Sequence, residues 1–193
     1  MKCAVFLDRD GVITQDPPHY ADRIDQLAII PRSAEGIRLL NEYGLPVIVV
    51  SNQSGVAGGY YSEEGVGIFM SEMKKQLAKT MAFNDGFYYC PHHPEATVPF
   101  YKTECECQKP KPGLLIRGAT DFSIVVACSY LVGAKWSDVQ AGRAVACRTI
   151  LVRTGHGTLE LQREIRPVDY IADDLYDAVI GYILPSVHSI RDR

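Results

Sequence analysis

Two aspartates spaced i, i+2 are the first residues of this chain that could do chemistry. They lie in the run Val5-Phe6-Leu7-Asp8-Arg9-Asp10-Gly11. An apolar stretch of β type, residues 3–7, delivers both carboxylates at its C-terminal end, and Gly11 permits a sharp turn. In a parallel α/β sheet, ligands bind beyond the carboxyl ends of the strands, so Asp8 and Asp10 are expected where chemistry happens. Two such groups held close repel each other unless a cation or a shared proton separates them. A hard divalent ion such as Mg²⁺ suits oxygen donors of this kind. An ordinary Asp-Gly turn after a strand reads the same way, so the weight falls on the segments that follow.

Val49-Val50-Ser51-Asn52-Gln53-Ser54-Gly55 ends a second strand in hydroxyl and amide groups. Together with backbone N–H groups beside Gly55, these can hold a phosphoryl oxygen. Lys109-Pro110-Lys111-Pro112-Gly113 precedes a helical stretch. Its prolines are expected to keep the backbone extended and to fix Lys109 as a point charge for a phosphate and its attacking carboxylate. In Gly133-Ala134-Lys135-Trp136-Ser137-Asp138, a strand end gives way to a helix start. Asp138 then falls in the first turn, where an acid suits the helix N-terminus on structural grounds alone.

Cys90, Cys105 and Cys107 share one polar, Pro-containing loop with His92 and His93. Three thiolates and one imidazole have the character of a closed tetrahedral Zn²⁺ site. Residues 94–104 hold few large apolar side chains, so they need another reason to be ordered. Metal binding, worth roughly 10 kcal/mol or more, supplies it. Cys3, Cys128 and Cys147 lie in apolar stretches and are expected to be buried small hydrophobes.

The elements that must position these groups alternate. Apolar β-type runs occur at residues 2–7, 45–50, 86–90, 129–133, 148–152 and 168–172. Helical spacing fills 33–43, 62–81, the stretch after Pro112, 136–146 and 174–184, while the tail beyond Pro185 is weakly specified. Alternation of this kind predicts an α/β fold of βαβ units, a Rossmann-like three-layer sandwich with a mostly parallel sheet. The apolar run Val47 to Val50 fits a central strand buried on both faces. Residues 90–113 form the one long irregular stretch.

A length of 193 residues suits one domain, residues 1–193. Lys and Arg total 20 against 23 Asp and Glu, a net charge of −3, which gives no electrostatic argument for nucleic acid or an anionic membrane. A zinc-finger nucleic-acid module is disfavoured for the same reason. No apolar run reaches the roughly 18 residues of a membrane span, and no signal peptide precedes the first strand, so a cytoplasmic monomer is expected.

These pieces, in this order, resemble the haloacid dehalogenase superfamily of phosphatases. More narrowly, they resemble its small capless branch, which contains the heptose bisphosphate and histidinol phosphate phosphatases. The resemblance implies Asp8 as nucleophile, forming an aspartyl-phosphate, and Asp10 as general acid and then base. It implies Ser51 and Lys109 on the transferring phosphoryl group, with Asn52, Gln53 and Gln108 facing substrate. Mg²⁺ would be held by the Asp8 carboxylate and the Asp10 backbone carbonyl, with Asp138 behind them. Zn²⁺ would be held by Cys90, His92, Cys105 and Cys107, which selects His92 over His93. The implied substrate is a phosphorylated sugar, D-glycero-D-manno-heptose 1,7-bisphosphate, cleaved at C7. Histidinol phosphate hydrolysis and non-catalytic binding of a phospho-ligand are the alternatives.

Three positions depart from the pattern. The family carries Asp, the third protein ligand of Mg²⁺, where this chain has Ala134. The heptose enzymes usually carry Arg where Gln108 and Gly58 stand here. The first change is expected to impair turnover, and the other two weaken the case for a second phosphate.

Overall fold

The computed structural model describes residues 2–16, 26–164 and 166–191. All six strands expected from the apolar runs are present: β1 (Val5–Leu7), β2 (Val47–Asn52), β3 (Gly86–Cys90), β4 (Tyr130–Gly133), β5 (Arg148–Val152) and β6 (Tyr170–Ala172). They pair throughout in parallel, in the order β3-β2-β1-β4-β5-β6. Strand alternation explains the two cores. Val5, Leu7, Val47, Val49 and Val132 pack against Ile37 and Leu40 of α1 (Ser33–Glu42) and Phe69 and Met73 of α3 (Glu63–Ala78). Phe6, Ile48, Val50 and Leu131 face the other way, against Leu114 and Leu115 of α4 (Gly113–Phe122) and Ala141 of α5 (Trp136–Arg143). The result is the expected three-layer sandwich. Strand order reverses around β1, so a crevice opens at the carboxyl ends of β1 and β4, where open α/β sheets bind ligands.

Local signals set several boundaries. Ser62 caps α3, its Oγ accepting from Gly65 N at 3.1 Å. Short elements carry too little periodicity to be read from sequence: α2 (Ser54–Ala57), α6 (Gly157–Arg163) and 3-10 turns at Pro99–Tyr101 and Val126–Cys128. The helix expected over 174–184 is composite. α7 (Leu175–Ala178) starts at Asp174, whose side chain accepts from Asp177 N at 2.7 Å, and runs into a π-helical stretch, Val179–Ile183. α8 (Leu184–Arg191) follows, so the tail beyond Pro185 is ordered as helix. Burial of Leu184 and Val187 in the core supplies the stabilisation that local pattern lacks. The π stretch ends two residues before Pro185, whose missing N–H cannot extend an α-helical ladder.

Two cysteines differ from expectation. Cys3 and Cys128 are half-buried and form a disulfide, with Cα atoms 5.4 Å apart. The parallel register sets Val5 beside Tyr130, so the residues two places before each are also neighbours. Their apolar flanks concealed that pairing. Cys147 is buried, as expected. Among the described residues, no helix is long and apolar enough to cross a membrane.

The turn after β1 is tight. Gly11 has φ of +84°, and a Cβ added there would lie 2.9 Å from the Ala134 Cβ and 3.1 Å from the Gly155 Cα. Gly11→Ala is therefore expected to lower stability by about 2–4 kcal/mol, read from the urea midpoint at constant slope.

Candidate active site

The site is built around a buried ammonium. Lys109 Nζ meets Asp138 Oδ1 at 2.6 Å, Asp8 Oδ1 at 2.9 Å and the Val50 carbonyl at 2.9 Å. The ammonium thus has one carbonyl hydrogen bond and two carboxylate oxygens at ion-pair distance. Those acceptors come from the ends of β1 and β2 and from the first turn of α5 after β4, the three central strands of the sheet. Asn52 fixes the backbone that carries the lysine: its Nδ2 donates to Lys109 O at 3.0 Å, and Lys109 N donates to its Oδ1 at 2.9 Å. The Lys109–Pro110 peptide is cis, and Pro112 adopts φ −88° and ψ 8°, so this segment is not the extended run expected from its prolines.

Charge and burial oppose each other here. Burial above all, with the neighbouring Asp138 and Asp10 adding to it and Lys109 opposing it, leaves the Asp8 carboxyl raised to about 6. Burial lowers the Lys109 pKa, but Asp138 and Asp8 together outweigh it and the net shift is upward. Lys109 thus stays charged, whereas the charge on Asp8 is costly without a further positive group beside it.

Asp10 is aimed by a clamp. Arg9 Nε donates to its Oδ1 at 2.9 Å and Arg9 Nη2 to its Oδ2 at 2.9 Å, a bidentate pair. The guanidinium lies 4.5 Å from the Phe69 ring centroid, which fixes its plane. Thr14 Oγ1 adds a 3.3 Å contact to Oδ1, and Gln53 Nε2 donates to Oδ2 at 3.1 Å.

Gln53, expected to face substrate, is instead 1% exposed. Its amide also donates to Ser51 Oγ at 2.8 Å and accepts from Tyr61 Oη at 2.9 Å. A side chain with that many internal partners is turned inward because leaving them unmade in the interior costs more than solvation returns. Ser51 is equally buried, at 1%.

A cavity of about 260 Å³ opens over these groups. Asp8, Asp10, Asn52, Gln108, Lys109 and Asp138 line it, as the sequence led one to expect of a common site. Asp16, Tyr61, His93 and Lys135 line it too; of these only His93 was weighed from the sequence, and then as a zinc ligand. For Asp16, closeness to Asp10 in sequence was the available signal; Lys135 was visible only as the neighbour of Ala134. Ala134 is fully buried, and its Cβ would lie 2.9 Å from a Cβ added at Gly11.

The Cys/His group forms as a unit. The ligand atoms of Cys90, His92, Cys105 and Cys107 all lie within 4.8 Å of one another, close enough to hold one metal ion. His92 Nδ1 is 3.4 Å from Cys107 Sγ, while His93 turns to the cavity and accepts from Glu95 N at 3.1 Å. Burial raises the Cys90 and Cys107 thiols, whereas at Cys105 hydrogen bonds with Cys107 and Cys90 outweigh burial and lower it. Glu63 holds the loop from α3, accepting from Tyr89 Oη at 2.6 Å and Tyr101 Oη at 2.9 Å. Cys107 stands two residues before Lys109, so fixing the thiolates also fixes the start of the segment that carries the ammonium.

Comparison with known proteins agrees with this geometry. A family model described as HAD-hydrolase-like matches residues 106–178. The D-glycero-β-D-manno-heptose-1,7-bisphosphate 7-phosphatase of Escherichia coli K12 is 40% identical over 191 residues, 98% of this chain and 94% of that protein. The corresponding 7-phosphatase of Chlorobaculum tepidum is 36% identical over 187 residues, covering 93% and 94%. This chain belongs to the heptose bisphosphate phosphatase family of the haloacid dehalogenase-like hydrolases. The crystal structure of a D,D-heptose 1,7-bisphosphate phosphatase from B. bronchiseptica, complexed with magnesium and phosphate, matches with a TM-score of 0.86 at 28% identity, over 96% of this chain and 99% of that one.

Within this family fold, Asp138 keeps a buried cation satisfied. Asp138→Ala removes one of the three Lys109 acceptors and is expected to cost about 3 kcal/mol in urea unfolding, with Asp138→Asn costing less.

Proposed function

We propose that this chain is a phosphatase acting on a phosphorylated sugar, and that its substrate is the C7 phosphate of D-glycero-D-manno-heptose 1,7-bisphosphate. The observation that carries the reading is the Asp8–Lys109–Asp138 group beneath a polar cavity, in a chain related over nearly its whole length to phosphatases of that name. Residues 1–193 act as one catalytic domain in this account.

Phosphoryl transfer asks mostly for positioning and neutralisation of charge. An Asp8 oxygen attacks phosphorus in line, forming an aspartyl-phosphate as the sugar alkoxide leaves. Asp10, aimed by Arg9, gives that alkoxide a proton and then takes one from the water that hydrolyses the intermediate. Lys109 balances charge on Asp8 and on the phosphoryl oxygens, and Ser51 donates to one of them. Asn52 holds Lys109 while facing the cavity, and Gln108 and His93 meet the sugar.

The donor set fits Mg²⁺ in part. The Asp8 carboxylate and the Asp10 carbonyl are hard oxygen donors, and Asp8 shares its one compensating ammonium with Asp138. Ala134 offers only a methyl group. Asp138 is no direct replacement, since Lys109 takes its Oδ1 and the Lys135 N–H, at 3.0 Å, its Oδ2. Mg²⁺ commonly sits on one or two carboxylates with water and substrate phosphate, so these two donors suffice to hold it, more weakly than three would. When bound, it supplies neutralisation of the carboxylate and phosphoryl charge. The Cys90, His92, Cys105 and Cys107 group holds Zn²⁺ as a structural site with no open position.

Ala134 also favours a second reading, in which the chain binds the sugar phosphate without turning it over. One experiment separates the two: phosphate release from heptose 1,7-bisphosphate with Mg²⁺, by the chain as it stands and by Ala134→Asp. The expected outcome is slow turnover that rises at least about tenfold in Ala134→Asp and vanishes in Asp8→Asn. Binding with no release from either protein sinks the phosphatase and leaves the binding protein. Because residue 134 is fully buried, Ala134→Asp should also melt lower than the parent in EDTA and recover with Mg²⁺. For the second metal, Cys105→Ser is expected to lower zinc content by elemental analysis; unchanged stoichiometry removes Cys105 from the ligand set.

A further inference from the structure

The wall of the cavity away from the Asp8–Lys109 pair holds a cluster that the steps above leave unused. Asp16 comes from the strap after β1, Lys135 from the start of α5 and His156 from the start of α6. Lys135 Nζ lies 3.3 Å and His156 Nε2 3.1 Å from the same oxygen, Asp16 Oδ2. Among the described residues, Oδ1 carries no partner, and the side chain remains 17% exposed on the cavity wall.

The strap that carries Asp16 is rigidly held. Gly11 N donates to Thr14 O at 2.7 Å, Gln15 N to Ala28 O at 2.9 Å and Ile30 N to Ile13 O at 2.9 Å. From the other side, Thr154 Oγ1 donates to Gly11 O at 2.6 Å, tying the loop before His156 to the same turn. Three elements thus converge to hold one carboxylate oxygen and leave the other facing the cavity.

We propose that Asp16 is a specificity-determining residue that accepts a hydrogen bond from a neutral hydroxyl of the sugar, with Lys135 and His156 as its positioning residues. The proposal rests on the sugar phosphatase reading above. Charge decides the class of group. Among the described residues, each cation lining the cavity is already paired inside it: Arg9 with Asp10, Lys109 with Asp8 and Asp138, and Lys135 with Asp16. A second anion entering beside Asp16 meets a carboxylate whose compensating ammonium is engaged. An ammonium on the ligand meets Lys135. A hydroxyl meets neither repulsion and finds a fixed acceptor, and a charged acceptor makes the stronger kind of hydrogen bond. At about 260 Å³ the cavity has room for a sugar as well as its phosphate.

The test separates the two ends of the ligand by calorimetric titration, in the Asp8→Asn background that stops turnover. The probes are inorganic phosphate, which reports the phosphoryl end, and heptose 7-phosphate, which adds the hydroxyls. Adding Asp16→Asn is expected to weaken heptose 7-phosphate binding about tenfold while leaving inorganic phosphate within twofold. Adding His156→Ala instead should weaken the sugar phosphate several-fold, again sparing phosphate. Equal sugar phosphate affinity with and without Asp16→Asn overturns the proposal and leaves the phosphatase reading standing, as does a parallel loss for both probes. Tighter binding after Asp16→Asn overturns it in favour of an anion read by the released Lys135. No heptose 7-phosphate binding even with Asp16 intact, alongside normal phosphate binding, counts against the sugar reading itself.

Discussion

Everything at the carboxyl ends of the central strands is arranged around one buried ammonium. A lysine removed from water must find acceptors for three N–H groups and a partner for its charge, or lose the charge. Lys109 finds Asp8, Asp138 and the Val50 carbonyl, one from each of three adjacent strand ends. The same contacts that satisfy it fix the relative positions of those ends. Stability and site geometry are therefore one constraint. A change that loosened the strand ends would leave the ammonium unsatisfied, and a change that removed the ammonium would leave two acids facing each other.

Around that centre, positioning passes outward through residues beside and behind the cavity. Gln53 touches Asp10, Ser51 and Tyr61 at once, so it transmits the packing of the α2–α3 region to the acid. Asn52 holds Lys109 by its backbone rather than its charge. The Cys/His group anchors the irregular loop whose end becomes the lysine segment, and Glu63 ties that loop to α3 through two tyrosine hydroxyls. A loop with so few apolar side chains gains order from these polar contacts in place of a core of its own.

The electrostatics explain why Ala134 matters beyond the loss of a ligand. Asp8 is already raised to about 6, by burial first and by two neighbouring acids besides. A fourth carboxylate at position 134 would worsen that balance in the absence of a cation and would hold the cation more firmly in its presence. Position 134 carries a methyl group, so no further charge is added beside Asp8.

The sequence by itself determined the strands, the order of the motifs and the Cys/His cluster. Those rest on local rules: apolar runs of strand length, turn glycines, and the spacing of Asp8 with Asp10 or Cys105 with Cys107. Such signals survive without tertiary context because each lies within one short stretch. Tertiary structure alone decided which side chains share a neighbour. The β1–β4 register that pairs Cys3 with Cys128, the inward turn of Gln53, the sharing of Asp16 by Lys135 and His156, and the helix beyond Pro185 all depend on contacts between residues far apart in the chain. Apolar neighbours made the two cysteines look like core, and polar neighbours made Gln53 look like a ligand contact. Composition around a residue states what it could do; the direction in which its side chain points is set by the sheet register and by which buried polar groups still need a partner.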